Sequence, residues 1–113
     1  MADRYYHGGP TINGRWLLPP SETGHARVCH DDPHVYLTTA YTLALTYAAT
    51  CNGWVYEAVP DGPVEPDPDS MLDPGVSVRC RRARIVRRLR PPKSMAARAA
   101  EAVREAERMM ADG

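Results

Sequence analysis

The sequence predicts an α+β domain built on a mostly antiparallel sheet, with one central helix and one C-terminal helix. Three observations carry this. Short apolar runs ("RYYHGG", "RWLL", "HVYL", "WVYEAV", "VSVRCRRARIVRRL") are separated mainly by Pro- and Gly-rich turns and loops rather than by helices. Only two stretches carry helical spacing, one between the third and fourth runs and one at the C-terminal end. The chain of 113 residues is 43% hydrophobic. A chain of that size buries roughly two-thirds of its unfolded surface, so residues 1–113 are read as one domain.

Each element has a local reason. "RYYHGG" reads as a strand ending in a Gly-Gly-Pro turn, and "RWLL" as a second strand stopped by Pro19 and Pro20. Residues 19–33 read as a polar loop, and "HVYL" as the third strand. Thr38 or Thr39 is placed to cap the helix that follows, since a Thr hydroxyl accepts from a free N–H of the first turn. In that helix Leu43, Tyr47 and Ala48 fall at helical spacing, with Leu45 and Ala49 beside them. Asn52-Gly53 supplies a left-handed stop. "WVYEAV" alternates as a buried strand. "PDGPVEPDPDSMLDPG" holds five prolines and two glycines in sixteen residues, and so reads as a stiff, extended loop. "VSVRCRRARIVRRL" makes one or two strands, with Val76, Val78 and Cys80 on one face. An Ala-rich helix over 94–111 follows Pro91-Pro92, and its Arg98–Glu101, Glu101–Arg104 and Glu105–Arg108 pairs offset like charges on neighbouring turns.

Net charge is zero, so no global field draws the chain to nucleic acid or membrane. The charge is uneven, however: Asp61 to Asp73 holds five acidic residues and no basic one, and Arg79 to Lys93 eight basic residues and no acidic one. No apolar run reaches membrane-spanning length, and no signal-peptide core opens the chain. Cys29, Cys51 and Cys80 form a sparse, odd set that suits a reducing cytosol, so a cytoplasmic protein is expected. In "CHDDPH", Cys29, His30 and His34, with His25 nearby, lack the paired short spacing of a zinc site, and no metal is expected.

Three features bear on chemistry. His7 closes a strand and is followed by Gly8 and Gly9, which allow backbone groups to approach a flat ligand edge. Tyr36 and Tyr47 stand eleven positions apart, one on a strand and one on the next helix; two such rings can form a slot for a flat heteroaromatic ring. Glu65, Asp67 and Asp69 sit among prolines, which restrict the backbone and so aim a carboxylate. Taken singly, each is also what an ordinary turn, core or solvated loop presents.

In this order "YYHGG", "VYLTT" with a second tyrosine beyond it, "YEAVPDGPVEPDPD" and "SVRCRRARIV" resemble the ADP-ribosyltransferases of the His–Tyr–acid branch, most of all the small rifamycin ADP-ribosyltransferases. The resemblance spans roughly residues 4–90. It implies a compact ADP-ribosyltransferase-like fold with a split sheet, and transfer of ADP-ribose from NAD with release of nicotinamide. It further implies that His7 binds the adenosine ribose, that the Gly8 backbone holds the nicotinamide amide, and that Tyr36 and Tyr47 sandwich the nicotinamide ring. Asp67, before Pro68 in "GPVEPDP", matches the family's acid, with Glu65 and Asp69 as neighbours of the same type. Thr38 and Arg79 complete the expected NAD-binding set. Gly9 stands where the family usually carries Thr or Ser.

The acceptor is open between a small molecule, a protein and a nucleic acid. Two rival readings use the basic run from Arg79. One is an NAD-dependent RNA 2′-phosphotransferase. The other is an inactive nucleic-acid-binding module, whose binding would be strongly salt-dependent.

Overall fold

The computed structural model describes residues 4–23, 32–68 and 75–112. Within them lies a seven-stranded sheet: β1 (Tyr5–Gly9), β2 (Trp16–Leu17), β3 (Val35–Thr38), β4 (Trp54–Pro60), β5 (Glu65–Pro66), β6 (Ser77–Cys80) and β7 (Ala83–Leu89). Three helices join it: α1 (Pro20–Thr23), α2 (Tyr41–Thr50) and α3 (Lys93–Asp112). The strand order is β2-β7-β4-β1-β3-β6-β5, with every neighbouring pair antiparallel. The α+β class, the antiparallel sheet and both long helices follow the sequence expectation.

The weak point of the sheet is its centre. β1 pairs with β4 over five residues, from Tyr5↔Ala58 to Gly9↔Trp54. Its other neighbour, β3, shares only Tyr6↔Thr38. The sheet thus has two halves, β2-β7-β4-β1 and β3-β6-β5, joined at one registered pair. One apolar cluster draws on both halves: Leu17, Tyr56, Ala58 and Ala83 from the first, Val35, Leu37, Val78 and Cys80 from the second. A smaller cluster, Ala44, Leu45, Ala48 and Val55, seats α2 on the opposite face.

Gly8 explains how close α2 comes. A Cβ at Gly8 would lie 1.8 Å from the Ala44 carbonyl oxygen, so only glycine admits the helix at this distance. The buried stripe of α2 is consequently Ala44, Leu45 and Ala48, while Tyr47 is 57% exposed and Leu43 half-buried. This shifts the expected Leu43–Tyr47–Ala48 face by about one position. The stop at Asn52-Gly53 is as expected: Asn52 is left-handed, at φ 50°, and the Gly53 N–H donates to Ala48 O at 2.8 Å.

Three local expectations are corrected. The N-cap of α2 is Ala40, not Thr38 or Thr39, because both Thr hydroxyls turn back to donate to Val76 O. The segment 19–33 contains a helical turn, α1, in which the Glu22 and Thr23 N–H groups donate to Pro19 O; proline at the first helical position loses no bond there. The proline-rich stretch contains strand β5. Pro66 is tolerated because β5 is the edge strand, where one missing donor faces no neighbour.

The basic run is divided between β6 and β7, and five of its eight members are engaged within the protein. Arg79 pairs with Glu65, Arg82 with Asp61 and Arg87 with Glu57. Arg82 also lies 4.4 Å over the Trp16 ring, and Arg90 lies 5.0 Å over Trp54. Arg88 donates to the carbonyls of Ile12 and Gly14. On α3, which packs along α2, Glu101 accepts from both Arg104 and Arg108.

Candidate functional site

The site is built from two transverse rows on the half-sheet β3-β6-β5. Register places Tyr36 opposite Arg79, and Arg79 opposite Glu65. Directly opposed residues share a face, so these three side chains form one row across three strands. In the next row Thr38 opposes Ser77, and the Asp67 N–H donates to Ser77 O at 3.0 Å, carrying the ladder one residue past β5. Alternation returns Asp67 to the face of Glu65. Thr38 is also the register partner of Tyr6, so both rows share the face that Tyr6 and Gly8 present to α2. Tyr36 and the helix bearing Tyr47 therefore lie on the same side of the sheet.

Side chains close the first row into a ring of polar contacts. The Tyr36 hydroxyl donates to Asp32 Oδ2 at 2.6 Å. The other Asp32 oxygen accepts from the His34 backbone N–H and from His34 Nδ1, each at 3.0 Å. His34 Nε2 lies 3.8 Å from Glu65 Oε1, which accepts from Arg79 Nε. Arg79 interacts in turn with the Tyr36 hydroxyl. Burial and the bond to Asp32 push the Tyr36 phenol up to about 12, against a smaller opposing effect of Arg79. Burial alone would raise the Asp32 carboxyl, but the hydrogen bonds from Tyr36 and His34 outweigh it and hold it below the ordinary range. A cavity of about 440 Å³ opens beside the ring, lined by His34, Glu65 and Arg79 and walled by Pro19, Pro33 and Pro63.

His7 sits at the seam. It opposes Tyr56 in register, with ring centroids 6.5 Å apart, so it projects to the larger core and away from the face of Gly8. Its link to the two rows runs through the backbone: His7 Nδ1–H donates to Tyr36 O at 2.9 Å, beyond the single ladder pair of β1 and β3. Burial lowers the imidazole pKa below its ordinary 6.5, against the smaller raising effect of the bond to Tyr36 O. The folded protein thus takes up this proton less readily than the unfolded chain. The stability that depends on neutral His7 is complete above the unfolded value and is lost as pH falls from it toward the folded one. The thermal midpoint is expected to decline between about pH 7 and pH 5, and more gently in His7→Gln. A parental slope in the variant would assign the acid sensitivity elsewhere.

The remaining expected residues divide as follows. Thr38 is 5% exposed; its hydroxyl donates to Val76 O and accepts from the Ala40 N–H, so it shapes the β3–α2 corner. Tyr36 makes its ring contact with His34, at 6.4 Å between centroids. Arg79 stands in the first row, bound to Glu65. Asp69, and with it Cys29, His30 and His25, lies outside the described residues. Among the described residues, neither Cys51, exposed, nor Cys80, buried, stands in a disulfide. No helix among the described residues is long and apolar enough to cross a membrane.

Sequence reasoning weighed His34 only as a metal ligand and missed Asp32 and Tyr56. "DPH" at 32–34 carries a usable signal, because Asp before Pro favours an extended residue whose carboxylate caps the N–H two positions on. Tyr56, at 1% exposure, donates to Pro10 O and accepts from the Ile12 N–H, both at 2.8 Å, and so fixes the turn after "YYHGG". Alternation placed Tyr56 in a strand without showing that its hydroxyl would anchor a loop. No known family model matches the chain, and no curated protein matches it.

Proposed function

We propose that this domain transfers ADP-ribose from NAD to an acceptor nucleophile and releases nicotinamide, and that it does so in the cytosol. The observation that carries the reading is the pair of registered rows. Tyr36, Arg79 and Glu65 in one row, and Thr38 and Asp67 in the next, stand on the sheet face on which α2, the helix that bears Tyr47, is seated. The single registered pair between β1 and β3 supports reading the sheet as a split one.

In this reading the protein's task is positional and electrostatic, because nicotinamide is already a good leaving group. Tyr36 and Tyr47 hold the nicotinamide ring. Asp67 faces the positive charge that develops at the ribose anomeric carbon as the glycosidic bond breaks, with Glu65 beside it in the same segment. His7 lies on the opposite face and bears on the site through its bond to the Tyr36 carbonyl. Arg79 is held by Glu65 and Tyr36, which fits a fixed cation better than a mobile phosphate clamp.

The deciding experiment is incubation of the full chain with NAD and measurement of free nicotinamide, followed by a screen for labelled acceptors. Nicotinamide release supports the transferase. Salt-sensitive RNA binding without release overturns it in favour of a binding module. Tyr47→Ala tests the slot: its 57% exposure makes it a change of small structural cost. Loss of stacking worth about 0.5–1.5 kcal/mol should raise the NAD dissociation constant roughly two- to tenfold. Unchanged NAD affinity would remove Tyr47 from the slot.

A further inference from the structure

We propose that Asp32 is a positioning residue, the group that fixes the Tyr36 phenol, and through it the ring, against the sheet. The role in turnover rests on the transferase reading above; the structural role does not.

Asp32 is itself held from three directions. Its carbonyl accepts from the Ser21 N–H at 2.9 Å, tying it to α1. Pro33 restricts its backbone to extended conformations. Its Oδ1 accepts the His34 N–H at 3.0 Å, a turn that sets the side-chain rotamer. The second oxygen, Oδ2, is left aimed at Tyr36, four residues on, and receives the hydroxyl at 2.6 Å. This is a charge-assisted bond of the short kind.

The other groups facing the phenol complete the arrangement. Arg79 approaches from β6 and is backed by Glu65 on β5, while His34 lies edge-on to the ring and bridges Asp32 to Glu65. The Tyr36 hydroxyl is therefore gripped between an anion and a cation on different elements. A ring free to rotate about χ1 would present its face to a ligand only part of the time. A ring pinned at its far end presents it continuously, which is the gain from preorganisation.

Two readouts separate this role from general support of the fold. The first needs no activity. At neutral pH the Tyr36 hydroxyl proton should appear in the proton NMR spectrum, shifted downfield by the short bond to a carboxylate. It should vanish in Tyr36→Phe and in Asp32→Ala, with both variants retaining the parental amide dispersion. Absence of the resonance from the parent, or its persistence in Asp32→Ala, overturns the proposal.

The second readout is kinetic. Loss of a hydrogen bond to a charged group is worth about tenfold in an equilibrium, so Asp32→Ala should raise KM for NAD about tenfold and change kcat little. Tyr36→Phe should do the same, and the double variant should be no worse than either alone. Additive losses would show that Asp32 acts other than through Tyr36. If the parent releases no nicotinamide, the transferase reading fails, and the hydroxyl resonance still decides the structural role of Asp32.

Discussion

Gly8→Ala is expected to lower the thermal midpoint by roughly 15 °C, from an overpacking cost of about 3 kcal/mol in a domain of this size. The new methyl would meet Ala44 O at 1.8 Å, and Ala44 C and Ala48 N at 2.8 Å. All three are backbone atoms, so no rotamer change relieves the clash and α2 must move. Its seat on Val55, with Ala44, Leu45 and Ala48, would open with it. Gly14→Ala is the matched control, because a Cβ there meets nothing within 4 Å. A Gly8→Ala midpoint within a few degrees of that control would show that the helix yields cheaply. The resemblance implies, as a proposal, a ligand role for the Gly8 backbone. The packing gives it an independent one, so activity lost in this variant does not by itself implicate NAD.

Asp67→Asn is expected to cut the transfer rate on the order of a hundredfold, the scale seen when one electrostatic stabiliser of a transition state is removed. The change keeps the volume and one acceptor oxygen while removing the charge. NAD affinity should move far less, because that charge matters once the glycosidic bond is breaking. Glu65→Gln is the companion variant. Glu65 is committed to Arg79 and approached by His34, so its loss should loosen β5 and the first row, raising KM together with any loss in kcat. Full activity in Asp67→Asn with a hundredfold loss in Glu65→Gln would transfer the acid's role to Glu65, two residues earlier. Full activity in both would remove these two carboxylates from the mechanism.

Much of the fold was legible because its signals are local. Alternation marked β4, β6 and β7, short apolar runs marked β1 and β3, and Asn52-Gly53 marked the stop that follows α2. What escaped was set by partners distant in sequence. β5 is a strand only because β6 lies beside it, and its prolines argued for a loop until an edge position made them harmless. The stripe of α2 was displaced because Gly8, over thirty positions earlier, lets the helix backbone approach at Ala44. The site divides in the same way. Tyr36, Arg79 and Asp67 were put forward by type and order. The grip on Tyr36 needed the β3–β6–β5 register, which brings residues from 32 to 79 into one ring. The basic run served the two nucleic-acid readings because sequence does not show that Arg82 stacks on Trp16 or that Arg88 ties down the turn at Ile12 and Gly14.

The bond from His7 to the Tyr36 carbonyl also dictates a chemical polarity. A carbonyl only accepts, so the imidazole proton resides on Nδ1, and the neutral ring keeps a lone pair on Nε2. Nε2 makes no hydrogen bond among the described residues, and Gly9 keeps the space beside it, where a Cβ would stand 3.1 Å away. Any group that docks at Nε2 must therefore bring its own hydrogen. Hydroxyls and amides qualify, whereas ionised phosphates and carboxylates meet lone pair against lone pair. By fixing which nitrogen is bare, the seam works as a filter for donors, so an anion at this corner of the fold would first have to protonate the ring that holds the two halves together.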